Sequence, residues 1–274
     1  MLLREVVLQS QLFKEDKMKR LAYFVIGLVI GGFTAYSYAN PIDTSCPQHV
    51  IWGAPQIKQE GNNQYLCRTG YAVNLNYQTK VAYFVAETIK PELLVTKQVS
   101  RKDDFREDPE VPAQFRVTLK DYQGSGLDRG HMAPAADFTY DANVMSESFL
   151  LSNMMPQSPG NNRGIWKYLE ENTRYWASQY GQLYIITGTH YEKEHPVMGN
   201  GVGVPTHVYK IIIDPKNTRA IAFMFPNMKL DPKTMEQYVV SISEIEAVTG
   251  INFSPAIPVQ LQGIEKVRAN FQEW

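Results

Sequence analysis

The sequence predicts an α+β fold, a mixed, largely antiparallel central sheet flanked by helices. Three observations carry that expectation. Residues 183–188 (LYIITG), 208–213 (VYKIII) and 220–225 (AIAFMF) are short apolar runs bounded by Gly, Pro, Asp or Asn, as core strands are. Residues 70–75 and 80–86 read as two more strands, with Asn76-Tyr77-Gln78-Thr79 as the turn of a hairpin. Helical patterns at residues 162–178 and 241–248 interleave with these runs.

The chain has 274 residues, 44% hydrophobic and 20% charged, enough to bury one large core. Its first residues stand apart. Lys17-Met18-Lys19-Arg20 is basic, residues 21–33 (LAYFVIGLVIGGF) are apolar, and Ser37-Tyr38-Ala39 offers small residues for a peptidase. That order is a secretory signal peptide. Residues 1–39 are therefore expected to be a signal region, with Met18 a candidate start, and residues 40–274 a single domain in the periplasm or medium. A retained anchor is the alternative, although the apolar run is short for a span and contains glycines.

Removing residues 1–39 takes away five of 27 Lys and Arg and three of 28 Asp and Glu, which leaves a formal charge of −3. A protein that coats itself in charge to hold nucleic acid would be basic. Any affinity for phosphate must be concentrated in one cleft. Cys46 and Cys67 are the two cysteines. In an exported chain they read as one disulfide, contributing about 3 kcal/mol by closing a loop of about twenty residues.

Residues 41–65, rich in Pro, Gly, Asn and Gln, read as irregular. Residues 101–112 (RKDDFREDPEVP) form a charged surface loop, in which Arg101 and Arg106 matter only if the loop borders a cleft. Residues 241–248 (SISEIEAV) make a short helix with Glu246 three residues after Ser243 and Gly250 as its stop.

Residues 124–174 carry the chemistry. In Asp128-Arg129-Gly130-His131 a cation stands two places from an imidazole. Arg129 has the planar fork that binds phosphate, and its charge holds the imidazole in the neutral form a general base needs. Turn formers at 152–160 then open abruptly into the helix, with Asn161, Asn162 and Arg163 at its mouth. Asn161 reads as the N-cap. At 100° per residue Ile165, Leu169 and Trp176 form a core stripe, and Arg163, Glu170 and Arg174 group away from it. Spacing alone equally allows Glu170 and Arg174 to be a surface ion pair. A base, an amide oxygen, a carboxylate and guanidinium groups suit metal-assisted cleavage of a phosphodiester.

Other motifs are weaker. Gly199-Asn200-Gly201-Val202-Gly203 resembles a phosphate loop but lacks the following Lys-Ser/Thr, so it reads as a turn. His49, His190, His195 and His207 lack a metal-ligand spacing and read as structural.

These stretches resemble the DNA/RNA non-specific endonuclease family, which includes endonuclease G and secreted bacterial nucleases. The matching residues are Asp121-Tyr122 with GSGLDRGHMAP, Leu151-Ser152-Asn153 through Pro156-Gln157, and Asn162-Arg163-Gly164-Ile165-Trp166 with Leu169-Glu170. Tyr184 to Gly188, Val204-Pro205-Thr206-His207 with Lys210, and Glu244-Ile245-Glu246 with Thr249-Gly250 extend the match from about Cys67 to Phe253.

The resemblance implies a ββα-metal site, formed by a β-hairpin and the helix that follows. It implies His131 as general base and Asn162 as the direct protein ligand of Mg²⁺ or another divalent cation such as Mn²⁺. Glu170 would hold water on that metal, and Arg129 and Arg174 would contact the phosphate. Arg101 or Arg106 would bind substrate, as would Arg163, which stands where many members carry Gln. DNA and RNA are the implied substrates, with no stable membrane insertion once the signal is cleaved. A phosphodiesterase of small nucleotides and a non-catalytic nucleic-acid-binding module are the alternatives, and a homodimer is one arrangement open to the chain.

Overall fold

Among the described residues, seven strands form the central sheet in the order β1-β2-β3-β6-β9-β10-β11. They are β1 (Asn63–Cys67), β2 (Tyr71–Asn76), β3 (Ala82–Ile89), β6 (Leu183–His190), β9 (His207–Asp214), β10 (Arg219–Pro226) and β11 (Val239–Val240). Every neighbouring pair runs antiparallel. The computed structural model describes residues 45–58, 62–96 and 98–274. The expected signal region and the candidate start at Met18 lie outside the described residues.

The apolar runs are continuous because both faces of the sheet are covered. On one face Val73, Val85, Ile185, Ile212 and Phe223 pack with Ile165, Trp166, Leu169 and Trp176. On the other, Ala72, Phe84, Ile186, Ile211 and Ala222 pack with Ile242, Ile245, Ile251 and Phe253. Successive residues of one strand thus enter opposite cores, as the period of two requires.

All five expected strands are present. The edge strand β1 lies partly within the stretch read as irregular. Its side chains are mostly half-buried, so it lacks the apolar run that marks the inner strands. Cys46 is bonded to Cys67, the last residue of β1, with 5.4 Å between the Cα atoms. The expected pairing is therefore present, and it fastens the segment at 45–58 to the sheet.

Three longer helices accompany the sheet, α1 (Ala142–Glu147), α2 (Lys167–Tyr180) and α3 (Ile242–Thr249). The expected stripe on α2 and the turn before it is correct, since Ile165, Leu169 and Trp176 are all buried. The regular helix begins five residues later than expected. Residues Asn161–Trp166 form a wider π-helical turn, broken at Gly164 (φ −108°, ψ −111°). The α3 cap is also displaced. Ser241 and Glu244, rather than Ser243 and Glu246, make the reciprocal capping box, and Gly250 closes the helix at φ 71°.

Besides the short pair β7 (Val197–Met198) and β8 (Val202–Gly203), a two-stranded ribbon pairs β4 (Asp128–His131) with β5 (Met154–Gln157) antiparallel. Residues 132–153 connect its strands, so it is not a tight hairpin. Met132, Met154 and Met155 join the core on the α2 face.

Candidate active site

The ribbon places the DRGH stretch. Asp128 faces Gln157 across it, and His131 faces Met154. Gly130 is required by close approach, because a Cβ there would lie 2.0 Å from the Gln157 Oε1. Gln157 Nε2 donates to Asn161 Oδ1 at 2.7 Å, and Asn161 Nδ2 donates to the Pro226 carbonyl at 3.0 Å. Asn161 is wholly buried. It fastens ribbon, turn and β10 together and is not the expected N-cap, since Gly160 occupies that place and no side chain caps the turn.

His131 is 8% exposed and sits among aromatic rings. Phe149 meets it edge-on at 5.0 Å between centroids, and Phe105 lies 5.6 Å away. The Arg129 guanidinium lies 4.4 Å from the Phe105 centroid and that of Arg101 5.0 Å from Phe149. His131 Nε2 is buried and, among the described residues, has no hydrogen-bond partner. Burial, aided by the charges of Arg101 and Arg129, lowers its pKa to about 3. The expected effect of Arg129 is therefore real, but burial is the larger cause. Asn153 holds the backbone beyond it, accepting from the Ala133 N–H at 3.0 Å and donating to the Ala133 and Ser148 carbonyls at 2.9 Å.

At the mouth of the turn, Asn162 Nδ2 donates to Asp128 Oδ2 at 2.9 Å. Arg163 grips the same carboxylate through two bonds of 2.8 and 2.7 Å. Burial raises the Asp128 pKa, but the hydrogen bonds from Arg163 and Asn162 outweigh it and hold the carboxyl below its usual range. Asn162 lines the cleft whereas Asn161 does not.

Glu170 and Arg174, one turn apart on α2, do not form the ion pair that spacing allowed. Arg174 Nη1 instead meets Asp137 Oδ1 at 2.8 Å. Burial raises the Glu170 pKa to about 7, opposed by Lys210 and Arg174 and reinforced by Asp137. Beneath them lie two buried titratable groups on the sheet, Glu87 on β3 and Lys210 on β9.

His131, Asn162, Glu170, Arg101, Arg129, Arg163 and Arg174 thus line one cleft of about 710 Å³, with Asp128 and Lys167. Arg106 is not among them. Its guanidinium turns to Asp104 and the Ser146 carbonyl. The glycine loop at 199–203 is also elsewhere, and it already holds an anion. The Asn200 N–H donates to Asp121 Oδ1 at 2.7 Å, with Gly199 and Gly201 at φ 49° and 74°. His49 is structural as expected, bonded through Nε2 to the Arg68 and Thr69 carbonyls.

Sequence reasoning gave no role to Asp137, Phe105, Phe149 or Glu87, and none to Lys210 beyond its place in a matching stretch. Lys210 carried a usable signal, a lone cation inside the run VYKIII.

The donor set fits a hard divalent cation. The Asn162 amide spends its N–H on Asp128, and among the described residues its Oδ1 accepts no hydrogen bond. Glu170 lines the same cleft. Amide and carboxylate oxygens are what Mg²⁺ selects.

Fold and cleft together define a ββα nuclease: an antiparallel ribbon and a helix resting on a sheet, with an uncharged imidazole among arginines. The chain belongs to the DNA/RNA non-specific endonuclease family, whose model matches residues 53–260. It is 36% identical to Nuclease C1 of Cunninghamella echinulata over 216 residues, 73% of this chain and 86% of that protein. A nuclease of Nostoc sp. is 33% identical over 257 residues, 87% of this chain and 93% of that one. Human mitochondrial endonuclease G is 33% identical, covering 76% of this chain and 75% of that protein. Among solved structures, the complex of EndoG with EndoGI superposes with a TM-score of 0.71 at 29% identity, covering 77% of this chain and 92% of that one.

Proposed function

We propose that the protein is an exported, metal-dependent endonuclease that hydrolyses phosphodiester bonds in DNA and RNA with little sequence preference. The observation that carries this reading is the buried, unpartnered His131 imidazole in an arginine-lined cleft that also contains the free Asn162 amide oxygen.

His131 takes the proton from the attacking water. Burial keeps it uncharged and so able to accept a proton, and among the described residues its Nε2 has no competing partner. Arg101, Arg129 and Arg174 attract the phosphate and stabilise charge developing on it. Asn162 would hold a Mg²⁺ or Mn²⁺ ion in the cleft that Glu170 also lines, and such an ion would supply Lewis acidity for departure of the leaving oxygen. Arginine contacts to phosphate and sugar carry no base identity, which supports activity on both nucleic acids. Export is supported by the basic–apolar–small order of residues 17–39 and by the Cys46–Cys67 disulfide.

The purified protein is expected to cut plasmid, linear DNA and RNA in Mg²⁺ and to stop in EDTA. Cleavage of small nucleotide diesters alone would overturn the endonuclease reading, and unchanged cleavage in EDTA the metal. Export is tested by intact mass of protein recovered outside the cytoplasm, which should begin near Asn40.

A further inference from the structure

A lysine in the middle of a sheet strand, 1% exposed, needs an explanation, because an ammonium loses several kcal/mol of hydration on burial. Lys210 Nζ donates to Thr187 Oγ1 at 2.6 Å, on the strand partner directly opposite, and to the Met132 carbonyl at 3.5 Å. It lies 5.1 Å from the centroid of the Trp166 indole.

These contacts join different parts of the cleft. Met132 directly follows His131 at the end of β4. Trp166 ends the turn that carries Asn162, and its ring is wholly buried. Thr187 belongs to the central sheet. The lysine thus reaches the base-bearing strand and the ligand-bearing turn from one rigid platform. Burial lowers its pKa, and the carboxyl groups of Glu87, Glu170 and Asp137 oppose that and favour the ammonium. Glu87 Oε2, also buried, has no hydrogen-bond partner among the described residues.

We propose that Lys210 is a positioning residue of the cleavage reaction: from beneath the cleft, its ammonium sets the peptide after His131 against the turn that carries Asn162. This rests on the nuclease reading above. Misplacement of a reacting group by about 1 Å can cost on the order of 10²-fold in rate. A lost anchor here should therefore lower kcat and leave substrate binding nearly unchanged, because the hydrogen bonds of Lys210 go to Thr187 and Met132 and, of the phosphate-binding arginines, Arg174 acts on it through charge.

The test compares wild type, His131→Ala, Thr187→Val and Lys210→Met on plasmid DNA in saturating Mg²⁺. Thr187→Val keeps the β-branched shape and removes the nearer of the two acceptors of the ammonium. Lys210→Met keeps the chain length and removes the charge. Lys210→Met is expected to lower kcat by roughly 10²-fold and Thr187→Val by about fivefold to tenfold, with KM unchanged. The double variant should be no slower than Lys210→Met, since both act through one ammonium.

Thr187→Val that folds and cuts with wild-type kcat overturns the proposal, whether or not Lys210→Met folds. Failure of both variants to fold overturns it too, by assigning Lys210 to stability. An equal rise in KM and fall in kcat/KM, with kcat preserved, assigns it to binding instead. If wild type does not cut, or His131→Ala cuts at the wild-type rate, the nuclease reading or the base assignment has failed and Lys210 is not the cause.

Discussion

Asn162 and Asp128, 34 residues apart in the chain, share a hydrogen bond of 2.9 Å from the amide Nδ2 to the carboxylate. That bond fixes which end of the amide faces the cleft. The neighbouring Asn161 is turned the other way, into the core. Asn162→Ala is therefore expected to abolish cleavage at ordinary Mg²⁺ with little loss of stability. Asn161→Ala leaves Gln157 Nε2 and the Pro226 carbonyl without that partner, at a cost of about 1–3 kcal/mol, and keeps substantial activity once folded. Melting curves and a Mg²⁺ titration of the rate separate the two. Normal cutting by Asn162→Ala would move the ligand elsewhere.

His131→Ala should lower turnover by roughly 10²–10⁴-fold while DNA affinity stays near wild type, because the proposed mechanism assigns binding to the arginines. Fluorescence anisotropy with a labelled duplex in Ca²⁺, set beside cleavage rates in Mg²⁺, checks both halves. A parallel loss of affinity would make the imidazole a binding group.

Arg163 neutralises Asp128 beside the amide that faces the cleft. Arg163→Gln should leave that carboxylate more exposed to an incoming cation. Calorimetry is expected to show Mg²⁺ binding tightened a few-fold. Weaker Mg²⁺ binding would mean that Arg163 serves chiefly to hold Asp128 in place.

Glu170 offers a pH test without catalysis. Its pKa stands at about 7 in the folded protein, raised from 4.5. The folded protein therefore keeps a proton that the unfolded chain has lost. The associated stability is fully present below about pH 4.5 and is lost as the pH rises through about 7. Glu170→Gln cannot titrate. In EDTA, wild type should lose up to about 3 kcal/mol relative to Glu170→Gln between pH 4.5 and 7.5. A pH-independent difference in melting would return Glu170 to an ordinary carboxyl.

The inner strands were legible because both faces are buried, which leaves apolar runs such as Ile211–Ile213 in β9 and Ala220–Phe223 in β10. The edge strand β1 was not, since half-buried Asn63 and Gln64 look like loop residues. The stripe of α2 was visible at helical spacing, but its start was not, because Asn161–Trp166 use a wider turn with no simple periodicity. Within the site, residues adjacent in sequence could be read together. Contacts made only on folding could not, as Arg174 shows by reaching past Glu170 to Asp137. The aromatic surroundings of His131 come from residues 105 and 149, which no local pattern connects to residue 131.

The two faces of the sheet also divide the labour of handling the protein. The cleft groups pack on the α2 face, whereas α3 packs on the opposite one, where its Val248 is 48% exposed. A cysteine or affinity handle at Val248 would tether the molecule to a bead or chip with its working face turned outward. Long polymers could then be drawn through an immobilised column without the support obstructing their entry.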